Sequence, residues 1–296
     1  MTAIASVFLL AGGIYVYANH LFFWGATAAE SPSSTLANRI TDAEEIGPPQ
    51  PEEAAEAVAA VEDSSSEQPG EEKPVSEEVE ETDATGETEN TAEKILALTF
   101  DDGPSVTTQR LVEGLNERGV KATFFMLGTL VERYPEVVDF VYASGNQIVS
   151  HGWDHKHKFT ELSDEALQTE LENAASAVRG ITGEDPLYVR PPCGAIDKVT
   201  AAKIDVPVML WNIDPSDWES RNAEAVCDAI INGAFHGGVI ILHDMYDSTV
   251  DGVLAAIDIL QAEGWRFVTL EKYYEIFEIT PEAGLVYRGT RPADYY

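Results

Sequence analysis

The sequence predicts an α/β protein, and within that class a distorted, incomplete seven-stranded (β/α) barrel over residues 93–280. Three observations support this. Short β-rich runs alternate with stretches of helical apolar spacing, which indicates a mostly parallel sheet. The runs are apolar throughout, as in strands covered on both faces. Reactive polar residues follow the runs, where active sites form in parallel α/β folds. An open sheet also fits this pattern, but seven units in about 200 residues favour a barrel.

Seven runs supply the predicted strands. Each is short and rich in β-branched, aromatic or aliphatic residues, which favours strand over helix. In chain order the runs are ILALTF (95–100), ATFFML (122–127), QIVS (147–150), LYVR (187–190), VPVMLWNI (206–213), GVIILH (238–243) and RFVTL (266–270).

Three of the intervening segments have clear helical signals. Residues 107–119 end in Gly119, and glycine is typical of helix C-caps. Residues 163–180 begin at Ser163, a favoured N-cap residue, and then place apolar residues at helical spacing. Residues 248–264 also end in glycine and lead directly into a strand run. The order of elements is therefore strand, helix, strand.

Residues 1–29 are predicted to be a signal peptide or a membrane anchor. Residues 3–24 carry no Asp, Glu, Lys or Arg and are about long enough to cross a bilayer as a helix. An A-x-A pattern at residues 26–28 is typical of signal-peptide cleavage, so both interpretations stay open. Either one predicts that the rest of the chain lies at the extracellular face of the membrane or is secreted into the cell wall.

Residues 30–92 are predicted to be a disordered acidic linker. This stretch has 19 acidic residues, two basic residues and no aromatic residue. Such a composition does not bury enough apolar surface to offset the entropy of ordering. At the other end of the chain, residues 281–296 are predicted to be a C-terminal tail.

The charge of residues 93–296 limits the possible partners. This part has 33 acidic and 16 basic residues, which argues against nucleic acid, because phosphate binding needs a basic surface. Cys193 and Cys227 are the chain's two cysteines, so the sequence does not indicate a disulfide scaffold.

Polar residues with catalytic chemistry fall where predicted strands end. In a parallel α/β fold those ends share one edge, where sites form. The residues in question are Asp101 and Asp102 after the first run, His151 after the third, Arg190 at the end of the fourth, Asp217 after the fifth and His243 at the end of the sixth.

A divalent-metal site is predicted from three of these positions. His151 and His155 are four residues apart, and Asp102 supplies a carboxylate from another strand end. Two histidines and one carboxylate with open positions make a catalytic metal site; zinc suits the ligands, and cobalt or iron are alternatives. Asp101 would then lie beside the cation and act as a base. The competing interpretation is that Asp101 and Asp102 belong only to a turn, since Asp, Gly and Pro all favour turns.

Five motifs together resemble the polysaccharide deacetylase family, carbohydrate esterase family four. They are TFDDGP, SHGWDH, RPPCG, DPSDW and ILH, and they appear in the family's order over about residues 94–275. The chain looks most like bacterial peptidoglycan N-acetylglucosamine deacetylases. The resemblance implies that Asp101 is the general base and that Asp102, His151 and His155 hold the metal.

The resemblance also assigns roles to the later motifs. In the third motif it implies that Arg190 orients the base and that the Cys193 backbone N–H binds the oxyanion, with Pro192 on the substrate side. In the last two motifs the implied assignments are Asp217 as the residue that orients the acid, His243 as the general acid, and Trp218 and Ile241 as walls of the acetyl pocket.

The chain departs from the family pattern at two informative positions. Gly152 stands where Ser or Thr usually follows the first histidine, so a hydroxyl that braces the loop is absent. Cys193 stands where an aromatic residue is common, which changes the predicted subsite shape.

The function implied is metal-dependent removal of N-acetyl groups from an N-acetylglucosamine polymer, most of all peptidoglycan. Two enzyme alternatives remain: a chitooligosaccharide deacetylase and an O-acetyl xylan esterase. A third alternative is a catalytically silent wall-binding module, which the presence of Asp101, Asp102, His151, His155 and His243 disfavours.

Overall fold

The computed structural model describes residues 94–293. The predicted N-terminal targeting segment (residues 1–29) and the predicted acidic linker (residues 30–92) lie outside these residues. Within residues 94–293, no helix is both long enough and apolar enough to cross a membrane.

Strands and helices alternate along the described chain. The strands are β1 (Lys94–Gly103), β2 (Thr123–Met126), β3 (Gln147–Ser150), β4 (Val208–Met209), β5 (Gly238–His243), β6 (Trp265–Val268), β7 (Val286–Arg288) and β8 (Arg291–Pro292). The α-helices are α1 (Thr108–Glu117), α2 (Gly128–Arg133), α3 (Pro135–Ala143), α4 (Asp164–Thr182), α5 (Lys198–Ala201), α6 (Asp217–Ser220), α7 (Ala223–Gly233), α8 (Asp247–Ala262) and α9 (Leu270–Ile276).

The main sheet is parallel and is centred on β1. Strand β1 pairs in parallel with β2, β5 and β6, and β2 pairs in parallel with β3. The predicted α/β class with a parallel sheet is therefore confirmed. The β1–β5 register places Asp101 directly beside His243.

A second sheet contains β4, β7 and β8. Together with three isolated bridges, it connects β3 back to β5. Val189 bridges both Ser150 and Val208, and Ile213 bridges Ile240. The predicted count of seven strands is not reproduced, because run 187–190 contributes only the two bridges of Val189, and run 206–213 is a strand only at β4. Prolines explain this, since each lacks the N–H that a ladder needs: two follow run 187–190, and one lies inside run 206–213.

The chain after residue 280 continues the fold. Strand β7 pairs in parallel with β4, and Val286 and Tyr287 are buried against it. The segment that the sequence assigns to a C-terminal tail thus contributes to the packed domain. Its three-residue strand is too short to give a recognisable pattern in the sequence.

Both faces of β1 are covered, which explains its continuous apolar run. Leu96, Leu98 and Phe100 pack in the cluster beneath the helices. Ile95 and Ala97 belong to a second cluster on the other face. Because side chains alternate along a strand, Asp101 falls on the same face as Ile95 and Ala97.

Candidate active site

The two consecutive aspartates of β1 both reach the same histidine. Neighbouring strand residues normally point to opposite faces. Asp102 interrupts this alternation with a left-handed φ of 67°, and the β1–β2 register shifts between Asp101 and Gly103. As a result, His151 Nε2 lies 3.2 Å from Asp102 Oδ1 and 3.8 Å from Asp101 Oδ2.

Asp102, His151 and His155 form a cluster that fits a divalent cation. His155 Nε2 lies 3.6 Å from Asp102 Oδ1, and the three candidate ligand atoms lie within 4.8 Å of one another. Asp102 Oδ1 is buried and accepts no hydrogen bond. His151 Nδ1 lies 2.9 Å from the Arg190 carbonyl oxygen, which only accepts, so Nδ1 carries the proton and Nε2 keeps its lone pair. Two imidazoles and an orphaned carboxylate oxygen are a donor set that zinc and similar ions prefer.

The loop that carries His155 is braced by a carboxylate. Glu170 Oε1, on α4, accepts hydrogen bonds from the backbone N–H groups of Trp153 (2.8 Å) and Asp154 (3.4 Å). Gly152 has a φ of +81°, and a Cβ there would lie 3.2 Å from Glu170 Oε1. The glycine in the second motif therefore suits this loop, and Glu170 provides the bracing expected of the missing hydroxyl.

Arg190 holds Asp101 from behind. Its Nη1 donates to Asp101 Oδ1 (2.6 Å) and to Thr99 Oγ1 (2.8 Å), while Nε and Nη2 donate to the backbone oxygens of Met209 and Leu210. The guanidinium is fully buried. With these donors satisfied, Arg190 fixes the position of Asp101.

His243 and Asp217 form a second, fully connected unit. Asp217 Oδ1 accepts a hydrogen bond from His243 Nδ1 (2.9 Å), and its Oδ2 accepts from the His243 backbone N–H (2.8 Å) and from Thr249 Oγ1 (2.8 Å). Asp217 is completely buried. Burial lowers the pKa of His243, but the hydrogen bond and charge of Asp217 outweigh it and raise this pKa to about 9. His243 is therefore protonated at neutral pH.

The charges of the metal cluster are coupled. Burial acts to raise the pKa of Asp102, but the adjacent imidazole of His151, 3.2 Å from its Oδ1, holds it below its usual range. The pKa of His151 is raised because the charges of Asp101 and Asp102 outweigh its burial. The pKa of His155 is lowered by burial and by His151. A carboxylate that stays charged beside two imidazoles is well suited to bind a cation.

One side of the site is open. The side chains of Asp101, His151 and Arg190 are 3% exposed or less, whereas those of Asp102, His155 and His243 are 12–16% exposed. A substrate approaching from solvent would therefore meet the outer ligands and His243 first, with Asp101 behind them.

The predicted substrate-side residues are close in sequence to Arg190, Asp217 and His243. Cys193 has a left-handed φ of 57° and an exposed side chain in the short turn Pro192–Gly194, just after Arg190. Ile241 lies two residues before His243 on β5 and is buried, as is Pro192. Trp218 follows Asp217 on α6 and is half-buried.

Asp244 directly follows His243 in the chain and is completely buried. Its carboxylate accepts a hydrogen bond from Thr108 Oγ1 (2.5 Å), and its backbone oxygen accepts from Ser105 and Thr107. Burial raises its pKa to about 7. Asp244 thus ties the end of β5 to the loop after β1.

Comparison with known proteins agrees with the motifs. The polysaccharide deacetylase family profile matches residues 88–207. The peptidoglycan-N-acetylglucosamine deacetylase PgdA of Listeria monocytogenes is 36% identical over 182 residues, 61% of this chain and 39% of PgdA. The peptidoglycan-N-acetylmuramic acid deacetylase PdaC of Bacillus subtilis is 34% identical over 191 residues, 64% of this chain and 41% of PdaC. A solved structure of PdaC has a TM-score of 0.61 and 34% identity, and covers 63% of this chain and 93% of that chain.

The chain belongs to the polysaccharide deacetylase family. The predicted resemblance is therefore confirmed, and the part that aligns is a polysaccharide deacetylase domain. The chain spans about two fifths of the length of these two curated relatives.

Proposed function

We propose that this chain is a metal-dependent hydrolase that removes N-acetyl groups from an N-acetylglucosamine polymer, with peptidoglycan as its substrate. One arrangement carries the proposal: the Asp102, His151 and His155 cluster lies beside Asp101, and Asp101 is next to His243 in the β1–β5 register. The two relatives PgdA and PdaC are both named as peptidoglycan deacetylases, which supports peptidoglycan as the polymer. We further propose that the strands and bridges form the distorted (β/α) barrel and that the domain acts in the cell wall, outside the membrane.

Asp102, His151 and His155 would hold the divalent cation. Zinc is the first choice for these ligands and cobalt the second. When bound, the cation supplies Lewis-acid chemistry at the acetyl group.

The remaining chemistry belongs to the chain's own residues. Asp101, oriented by Arg190, accepts a proton from the water that adds to the acetyl carbonyl carbon. The backbone N–H of Cys193 donates to the oxygen that becomes negative. His243 gives its proton to the amine nitrogen as the carbon–nitrogen bond breaks, which yields acetate and a free amino sugar. The acetyl pocket in this proposal is lined by Pro192, Trp218 and Ile241.

Acetate release tests this proposal. Purified chain with zinc or cobalt is given peptidoglycan, chitooligosaccharides and acetylated xylan in parallel. We expect acetate from the first two substrates, and the Asp101→Asn variant should lose about 1,000-fold or more in rate while keeping its metal, because Asn cannot take the proton. Asp205→Asn, which changes an exposed carboxylate ahead of β4, serves as the matched control and should keep the full rate.

The outcomes separate the alternatives. Release only from acetylated xylan would replace the proposal with an O-acetyl esterase, and release only from chitooligosaccharides would reassign the polymer. Peptidoglycan binding without any acetate release would favour the silent wall-binding module. Near-normal rates for Asp101→Asn would show that Asp101 is not the base.

A further inference from the structure

Arg221 has an unusual backbone conformation at the edge of the site. It follows α6 with a left-handed φ of 44°, and its N–H donates to the Asp217 carbonyl oxygen (3.1 Å). Non-glycine residues seldom adopt this conformation, and those that do cluster at functional sites. Five other described non-glycine residues have a positive φ, and three of them, Asp102, His155 and Cys193, belong to the candidate active site.

The guanidinium of Arg221 is held in a fixed plane. Its Nε donates to the Trp218 carbonyl oxygen (3.1 Å), and its Nη2 lies 3.4 Å from the Tyr246 hydroxyl oxygen. Its Cζ lies 4.5 Å from the centroid of the Tyr246 ring, a cation–π contact. These contacts leave Nη1 without a partner among residues 94–293, so two donors of the planar fork point to no protein acceptor.

Arg221 also has no carboxylate partner in the described part of the chain. Exposed Arg110 and half-buried Arg118 and Arg179 do have one: each lies within 3.1 Å of an aspartate or glutamate oxygen. In a region with 33 acidic and 16 basic residues, most surface cations have an acidic neighbour available. An exposed arginine that is positioned but unpaired is therefore available to an external anion.

Tyr246 places this cation at the rim of the candidate active site. It is three residues after His243 and precedes α8. Its ring lies against the Arg221 guanidinium, and the backbone N–H of Arg221 donates to the carbonyl oxygen of Asp217, the residue that holds His243. The stacked Arg221 therefore lies beside the acid half of the site.

We propose that Arg221, held by Tyr246 and Trp218, is a subsite that binds a carboxylate on the unit next to the sugar being deacetylated. The inference rests on the proposed function, because it assigns an acidic glycan to that same site. Arginine's planar fork suits bidentate carboxylate recognition, and a guanidinium already fixed in place loses little entropy on binding. In peptidoglycan the carboxylate belongs either to the lactyl ether of muramic acid or to the attached peptide.

The test compares neutral and acidic glycans on the full chain. Acetate release is measured on chitopentaose, on peptide-free peptidoglycan strands and on peptide-bearing fragments. We expect Arg221→Gln to raise KM about 5-fold or more on an acidic glycan at unchanged kcat, and to change chitopentaose kinetics less than about 2-fold. Arg221→Lys should restore part of the loss, and 0.5 M salt should weaken the wild-type preference by screening. Arg179→Gln, which changes a half-buried arginine on α4, is the matched control.

Each outcome decides a point. A KM increase on peptide-free strands assigns the lactyl carboxylate, and an increase confined to peptide-bearing fragments assigns the peptide. Equal losses on neutral and acidic glycans, or no loss on any, would overturn the subsite. If the wild-type chain releases no acetate at all, calorimetry of glycan binding to wild type and Arg221→Gln still tests the subsite, and only the proposed function fails.

Discussion

The two halves of the candidate active site are completed in different ways. In the acid half, Asp217 accepts hydrogen bonds from His243 Nδ1, the His243 N–H and Thr249, so its charge is satisfied within the protein. In the metal half, Asp102 Oδ1 is buried, faces two imidazole nitrogens and accepts no hydrogen bond. Buried polar atoms are nearly always paired, so an unpaired one calls for a ligand.

This difference indicates which half needs something from outside the chain. The acid half is pre-organised by the fold alone, since Asp217 fixes both the tautomer and the charge of His243. In the metal half, the unpaired Asp102 Oδ1 faces nitrogen atoms of His151 and His155, an arrangement that suits a cation. Changes in the metal half should therefore remove the metal and activity together, whereas changes in the acid half should slow the reaction with the metal retained.

The largest effect is expected from a ligand change. His155→Ala should lower metal affinity more than about 100-fold. Removing a residue that only orients a metal ligand already lowers metal affinity or activity about 10- to 100-fold, and His155 is itself a proposed ligand. Acetate release should fall with the metal affinity. His157→Ala changes a nearby exposed histidine and should leave metal content and rate as in wild type. Elemental analysis after dialysis measures the metal content of each variant, and acetate release measures its rate. Equal metal content in the two variants would contradict the ligand assignment.

The sequence located the reactive residues better than the groups that hold them. Asp102, His151 and His155 were predicted because their types and spacing carry metal chemistry, and the structure brings them together. Glu170 was missed, because it braces the histidine loop from the next helix, 17 positions along the chain, and no local pattern marks such a contact. Thr249 was missed for the same reason, since its hydroxyl reaches Asp217 from 32 positions away.

The fold shows the same division. Strands with long apolar runs, such as β1 and β5, were predictable because burial on both faces leaves a clear pattern. The strands predicted around Val189 and β4 were too long, because prolines interrupt the ladder within or beside an apolar run. Strand β7 was missed because its partner β4 precedes it by almost 80 residues, and three residues carry too little pattern.

A smaller effect is expected in the acid half. Asp217→Asn removes the charge that raises the pKa of His243 to about 9, so this pKa should fall toward its ordinary 6.5. In the proposed mechanism His243 acts in its protonated form, so wild-type activity should fall as pH rises through its pKa, and in the variant the fall should begin at lower pH. We expect kcat to fall about 100-fold with metal content unchanged. Both enzymes are assayed with the same metal, so any effect of the cation on His243 applies to each. An unshifted basic limb in the pH profile would show that Asp217 does not set the charge of His243.

The smallest effect should come from the third donor to Asp217. Thr249→Val keeps the shape of the side chain and removes one buried hydroxyl, while Asp217 keeps both hydrogen bonds from His243. The loss of one such bond costs about 1 kcal/mol in the free energy of unfolding, and a looser His243 should lower kcat about 3-fold. Thr249→Ser restores the hydroxyl and should recover kcat more fully than stability, because it lacks the buried methyl group. Denaturant unfolding and acetate-release kinetics measure the two quantities separately. If Thr249→Ser is as slow as Thr249→Val, the methyl group rather than the hydrogen bond positions the acid half.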